Sequence, residues 1–328
     1  DRTTLAMPEN QNHLIAAVAA VQPNTVVVLH NGSAIEMPWV NDVPAVLELY
    51  LAGDGAGEAA VNLLYGAVNP SGKLAETFPR RLSDTPAYLS FPGERETSVY
   101  SEGVFVGYRY YDTYDKAVDY PFGFGLSYAT FAIDGVNVAK TGANTAHVTA
   151  TVTNTSDVDA AETVQVYVAP GKADVARPKH ELKGFTKVFL KSGESKTVTI
   201  DLDERAFAYW SEKYNDWHVE AGEYAIEVGV SSRDIAGTVA VALDGDGKTQ
   251  PLTEWSNFME WRKDPLGSKV LEILRAEGEA GRMPVVPDND MTRLFLDSMP
   301  INSMSVLMGA DGKQIFEYML EKYAELTK

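Results

Sequence analysis

Carboxylates are the abundant reactive groups of this 328-residue chain: 46 Asp and Glu stand against 28 Lys and Arg, with five histidines and no cysteine. Two carboxyl groups roughly 5 to 10 Å apart are what glycoside hydrolysis requires, one to move a proton and one to attack or to activate water. Spacing alone selects no such pair, and these groups read mainly as solvated surface charges. His13, His30, His147, His180 and His218 are never three or four residues apart, so no helical zinc pair forms. The lack of cysteine removes disulfides, thiolate metal sites and a thiol nucleophile together.

Two glycine-bearing segments invite a ligand. Gly53-Asp54-Gly55-Ala56-Gly57-Glu58 follows an apolar run and opens a helix, the placement of a phosphate cradle. It lacks the Gly-Lys-Ser/Thr ending of a P-loop and is mis-spaced for a dinucleotide fingerprint, so tight strand-to-helix packing is expected instead. Asp244-Gly245-Asp246-Gly247 resembles the start of a calcium loop, but Leu252 and Thr253 stand where further ligands are needed. A plain turn is expected there, with no metal and no organic cofactor.

The formal net charge of −18 argues against a nucleic-acid partner bound through a basic surface and against an anionic membrane. No apolar run reaches the roughly 18 to 20 residues of a membrane-spanning helix. The expected setting is the cytoplasm of a bacterium, although cysteine usage fits an exported protein equally well.

The elements that must position any chemistry can be read from periodicity. Residues 8–22 carry Leu14, Ile15, Val18 and Ala19 at helical spacing after Pro8, and Pro23-Asn24 stops them. Thr25 to His30 is a continuous β-branched run, predicting a strand buried on both faces of a parallel sheet. A second apolar run, Ala45 to Leu51, precedes the glycine segment and a helix from Ala59 to Tyr65, which makes an α/β layer. From about Asn69 the composition turns to Pro, Gly and aromatic residues, an ordered connector rather than a flexible linker. Between about 126 and 245, alternating runs such as 147–153, 164–168, 197–202 and 224–230 predict an antiparallel β-sandwich. Helical spacing then returns, with stripes at Leu266, Val270, Leu271 and Leu274 and at Ile315, Phe316, Met319, Leu320 and Tyr323. Seven of the nine methionines lie beyond residue 250, either filling a core or adapting to a partner.

Five collinear segments carry a family resemblance. Asn69-Pro70-Ser71-Gly72-Lys73-Leu74-Ala75-Glu76-Thr77-Phe78-Pro79 resembles a stretch of family 3 glycoside hydrolases, the β-glucosidase and β-xylosidase group. Asp1-Arg2 with Leu5, Pro8, Gln11, Leu14 and Ile15 is similar to an earlier motif of the same family. Val106 to Asp112 and Tyr120 to Tyr128 resemble its connector, and Arg177 to Phe185 with Ser192-Gly193-Glu194 its fibronectin type III-like domain.

The resemblance implies an α/β partial sandwich layer over 1–85, an aromatic-rich connector over 86–125 and an all-β fibronectin type III-like (immunoglobulin-like) sandwich over 126–245. A helical extension over 246–328 has no motif-level match; it is expected to dock on the layer, a barrel or another subunit through Met299, Met304 and Met308. The family's nucleophile is an Asp on a (β/α)8 barrel that is not represented here. Its general acid/base is a Glu a few residues before the pair matched by Asp1-Arg2. No catalytic residue is therefore carried over, and the chain alone is expected to be inactive. Lys179-His180 lies in the sandwich and is not the family's sugar-binding Lys-His pair. Candidates to border a substrate are Asp1, Arg2, Tyr108, Arg109, Tyr111 and Asp112. Arg2 could steady a neighbouring carboxylate; the aromatic group with Tyr110 could stack on sugars or glue the sandwich to the layer. The implied activity is retaining hydrolysis of terminal β-D-glucosyl residues. The implied partners are β-glucosides or oligosaccharides and the barrel domain, with a homo-oligomer left open. A β-xylosidase or other family 3 specificity, and a non-catalytic carbohydrate-binding or packing module, stand as alternatives.

Overall fold

The computed structural model describes residues 3–171, 173–248, 251–286 and 290–327. They fall into two compact units, Asp1–Gly247 and Lys248–Lys328.

In the first unit, α1 (Glu9–Val21) starts after Pro8, whose fixed φ of −52° suits a helix entry. β1 (Val26–Leu29) and β2 (Ala45–Glu48) pair in parallel, Val26 opposite Ala45 and Leu29 opposite Glu48, and α2 (Ala56–Leu64) follows. The strand predicted to be buried on both faces is buried on one. Val27 and Leu29 are 8% and 6% exposed, whereas Val26 and Val28 are 44% and 36% exposed. The buried face packs on a core that includes Ile35, Met37 and Trp39 from the β1–β2 loop and Ile15 and Ala19 of α1. A uniformly apolar strand shows no alternation in its residues, so only the number of neighbouring layers decides how many faces are covered.

The connector is pinned at both ends. β3 (Phe78–Pro79) pairs antiparallel with β4 (Val118–Tyr120), and α3 (Tyr108–Thr113) lies between them. Phe78 meets Tyr120 edge-on at 6.4 Å, and Tyr120 stacks on Phe124 at 5.1 Å.

The sandwich has two antiparallel sheets. One is ordered β5 (Phe131–Lys140), β6 (Ala146–Asn154), β9 (Ser195–Leu202); the other is β13 (Ile235–Leu243), β12 (Gly222–Gly229), β7 (Ala160–Pro170), β8 (Glu181–Leu190). Strict alternation along β6 buries Ala146, Val148, Ala150 and Val152 against Val164, Val166, Val168, Ile226 and Val228 of the facing sheet. One helical turn, α4 (Glu204–Phe207), is capped by the Asp203 carboxylate accepting from the Ala206 N–H at 3.1 Å. It inserts the fully buried Phe207 edge-on to Tyr224, with ring centres 5.4 Å apart. A separate hairpin, β10 (Tyr209–Ser211) with β11 (Asp216–His218), follows.

The second unit is helical: α5 (Phe258–Lys263), α6 (Pro265–Glu279), α7 (Asp290–Leu296) and α8 (Met304–Leu326). Asn257 and Glu260 form a reciprocal capping box on α5, and Asp264 caps α6 with Pro265 in its first turn. α8 is interrupted at Gly309, whose φ of 60° is open to glycine. Trp261, Val270, Ile301, Met304, Ile315 and Met319 make the core, and Met308 packs against it. Met304 and Met308, expected on a docking surface, are thus used inside the unit.

Phe207→Ala is expected to destabilise the first unit by about 3 to 5 kcal/mol through cavity formation. Urea unfolding followed by circular dichroism checks this; a cost under about 1 kcal/mol would contradict the packing described.

Candidate functional site

The recognisable motifs meet one another. Asn69 Oδ1 accepts from the Ser127 hydroxyl at 2.8 Å and the Tyr128 N–H at 3.2 Å. Lys73 Nζ donates to the Gly125 carbonyl at 3.0 Å and pairs with Glu162 of β7 at 2.8 Å, both side chains largely buried. The backbones of Leu74 and 123–124 exchange two bonds of 2.8 Å. A Cβ on Gly125 would lie 2.2 Å from the Gly72 carbonyl oxygen, and one on Gly123 (φ 78°) 2.1 Å from Gln165 Oε1. Gln165 Nε2 in turn donates to the carbonyls of Gly123 at 3.0 Å and Val230 at 2.6 Å. Two family-like motifs and one strand therefore form a single seam.

α3 brings Tyr108, Arg109, Tyr111 and Asp112 onto the sandwich, where each is engaged within the fold. The Leu182 N–H donates to the Tyr108 hydroxyl at 2.7 Å, and the Tyr108 ring stacks on Phe122 at 4.4 Å. Arg109 pairs with Glu181 at 3.1 Å, and Tyr111 is 4% exposed. The Asp112 carboxylate is buried between His180 Nε2 at 3.2 Å and Arg233 Nε at 2.6 Å, while His180 Nδ1 meets Glu227 at 2.6 Å. Burial opposes a charge on this imidazole, but the hydrogen bonds its ring N–H groups donate to Asp112 and Glu227 outweigh it and hold the His180 pKa above its ordinary value. Burial likewise opposes the Asp112 charge, and its bonds to His180 and Arg233 hold that carboxyl below the usual range. Glu227 and Arg233 lie 47 and 121 residues from the partners they serve and were not foreseen. The candidates Asp1 and Arg2 lie outside the described residues.

Two other places gather polar groups. At the C-terminal ends of β1 and β2, where open α/β sheets bind ligands, Glu48 Oε1 accepts from the Tyr50 N–H at 2.6 Å, and its buried Oε2 has no hydrogen-bond partner among the described residues. Burial pushes the Glu48 carboxyl up, and Glu76 adds to this as a neighbouring charge. A cleft of about 530 Å³ is lined by Asn12, Glu36, Asn41, Arg80 and Asp119. Burial raises the Asp119 pKa against the opposing pull of Arg80, 3.8 Å away. Amide, carboxylate and guanidinium groups line this cleft together with Tyr120, and among the described residues none of the candidates to border a substrate lies in it.

The glycine segment is not a close-packed junction as expected: a Cβ at Gly55 or Gly57 would meet nothing within 4 Å, and only Gly53, at φ 67°, needs glycine's conformational freedom. Asp244 pairs with Lys140 at 2.6 Å, and Asp246 accepts from His218 Nδ1 at 2.9 Å, so both carboxylates of the 244–247 segment are engaged within the fold. Among the described residues no group of three or more His, Asp or Glu could hold a metal ion, and no helix is long and apolar enough to cross a membrane.

An α/β layer joined through an aromatic seam to a fibronectin type III-like sandwich is the domain pair of the C-terminal part of a class of glycoside hydrolases. Residues 1–108 match the model described as glycosyl hydrolase family 3 C-terminal domain, and residues 162–232 match the fibronectin type III-like domain. The chain belongs to glycosyl hydrolase family 3. It is 67% identical over its whole length to an exo-α-(1→6)-L-arabinopyranosidase of Bifidobacterium longum, covering 44% of that protein. It is 45% identical over 99% of its length to thermostable β-glucosidase B of Acetivibrio thermocellus, covering 43%. The crystal structure of a Bifidobacterium adolescentis GH3 β-glucosidase superposes with a TM-score of 0.79 at 69% identity, over 83% of this chain and 40% of that one. The chain thus spans less than half the length of the curated relatives it matches.

The buried charges set a pH dependence. His180, with its pKa raised on folding, stabilises fully below its unfolded value near about 6.5 and loses this as pH rises through the folded value. Asp112, with its pKa depressed, stabilises fully above its unfolded value near about 3.9 and loses this as pH falls through the folded one. The cluster is strongest between those two unfolded values. His180→Gln is expected to cost about 3 kcal/mol at pH 5.5 and to flatten the decline toward alkaline pH. Urea titrations at pH 5.5 and 8.5 test it, and an unchanged slope in the variant would refute the assignment.

Proposed function

We propose that this chain is the C-terminal portion of a retaining glycoside hydrolase that releases terminal β-D-glucosyl residues, with α-L-arabinopyranosides as a second substrate class. The collinear match through both domains carries the reading: a β-glucosidase structure at 69% identity and an arabinopyranosidase at 67% share its layer and sandwich. The two substrates present a pyranose ring with an equatorial leaving group, so one arrangement of carboxyl groups serves both. In such a reaction one carboxylate attacks the anomeric carbon while a Glu protonates the departing oxygen; water then hydrolyses the glycosyl-enzyme with that Glu as base. We assign neither group to a residue of this chain, whose match is to the family's C-terminal domain. The part of this chain is to hold the layer against the sandwich through the 69–73 and 120–128 seam, keeping its edge in fixed geometry beside the catalytic portion.

The test is a chimaera in which residues 1–328 replace the corresponding segment of the B. longum arabinopyranosidase. It is expected to hydrolyse p-nitrophenyl β-D-glucopyranoside or α-L-arabinopyranoside within about tenfold of the parent's kcat/KM, roughly the rate change that 1.4 kcal/mol produces. The 328-residue chain alone is expected to show no turnover. A folded chimaera inactive on both substrates, or turnover by the chain alone at a rate near that of the parent, would overturn the proposal.

A further inference from the structure

The β10–β11 hairpin stands outside the two sandwich sheets, and its two faces differ. The inward face is anchored: Tyr209 meets His218 edge-on at 5.6 Å, the Tyr209 hydroxyl donates to Glu220 at 3.3 Å, His218 is held by Asp246 at 2.9 Å, and Ser211 is buried. The outward face carries Trp210 directly across from Trp217, with ring centres 5.5 Å apart and planes at 75°. The Arg205 guanidinium lies 3.1 Å from the centre of the Trp217 ring and fixes that indole. Trp210 is nevertheless 49% exposed and Trp217 39%.

A cross-strand aromatic pair stabilises its own hairpin, which explains the pairing but not the outlay of two half-exposed indoles on three-residue strands. Taking about 150–250 Å² for a whole aromatic side chain, the two present roughly 200 Å² of rigid aromatic surface. A stable protein partner needs about 800 Å² on each side. The residues around the patch do not extend it: Glu212, Lys213, Asn215 and Asp216 are exposed and polar or charged. The dimensions and rim fit one or two sugar rings. A β-linked glucopyranose carries its hydroxyls equatorially, so each ring face presents axial C–H groups to an indole while the hydroxyls reach outward toward polar side chains.

We propose that Trp210, walled by the Arg205-braced Trp217, is a saccharide-stacking platform for β-linked gluco-oligosaccharides. The saccharide class rests on the glycoside hydrolase reading above; the platform itself rests on the hairpin.

Titration of the 328-residue chain with cellohexaose is expected to show saturable binding with Kd on the order of 1 mM. Trp210→Ala weakens it at least about tenfold and Trp210→Tyr by no more than about threefold, because the phenol keeps an aromatic face. In the unaltered chain, cellohexaose protects Trp210 from oxidation by N-bromosuccinimide, read by mass spectrometry of its peptide, so the test stands even if a variant misfolds. Absence of saturable binding, undiminished binding by a folded Trp210→Ala chain, or unprotected Trp210 at saturation overturns the platform. So does a dimer that Trp210→Ala dissociates in the absence of cellohexaose binding. An active chimaera without this binding removes the platform alone, and binding beside an inactive chimaera removes the hydrolase reading alone.

Discussion

A buried imidazole with a carboxylate at each nitrogen is the constraint around which the first unit is organised. His180 lies between Asp112 and Glu227, and Arg233 closes the far side of Asp112. With His180 protonated, two positive and two negative groups cancel, which is the condition under which such charges tolerate burial. Their origins matter more than their sum. Asp112 comes from α3, His180 from the residue before β8, Glu227 from β12 and Arg233 from the turn after β12. Removing any one leaves a charge stranded in a poorly polarisable interior, so connector and sheet assemble together. The stack of Tyr108 on Phe122 and the bond from Leu182 follow from the placement of α3 by this cluster.

The motifs that signal the family turn out to be structural in their contacts. Asn69 and Lys73 reach the 123–128 segment and β7, while the glycines at 123 and 125 exist because a carboxamide and a carbonyl occupy the space a methyl would take. A side chain added at Gly123 or Gly125 would clash with Gln165 or with the Gly72 carbonyl across the seam. Among the described residues, the contacts of these motifs define an architecture, and through it a family.

Much of this was legible in sequence. The alternation at 147–153 and 224–230 marks β6 and β12 within a residue or two, and Pro8 and Pro23 bracket α1. What was not legible depends on more than one segment. Val26 and Val28 read as buried because they are apolar, yet their exposure is set by how many elements cover the sheet. Asp112 sits in an aromatic run that could equally face sugar; its role is fixed by Arg233, 121 residues away in a turn with no periodic signal. The glycines at 55 and 57 look like a packing device because composition cannot show that the space beside them is open. Trp210 and Trp217 pass unnoticed in a strand pattern, since pairing across a hairpin is a property of register.

The two-stranded parallel pair of β1 and β2 has a bearing on how the polypeptide behaves among other molecules. Among the described residues each strand bonds one neighbour, which leaves one edge of each without a strand partner, and the half-exposed Val26 and Val28 share a face of β1. Open edges beside apolar side chains recruit further strands, whether from a proper neighbour or an accidental one.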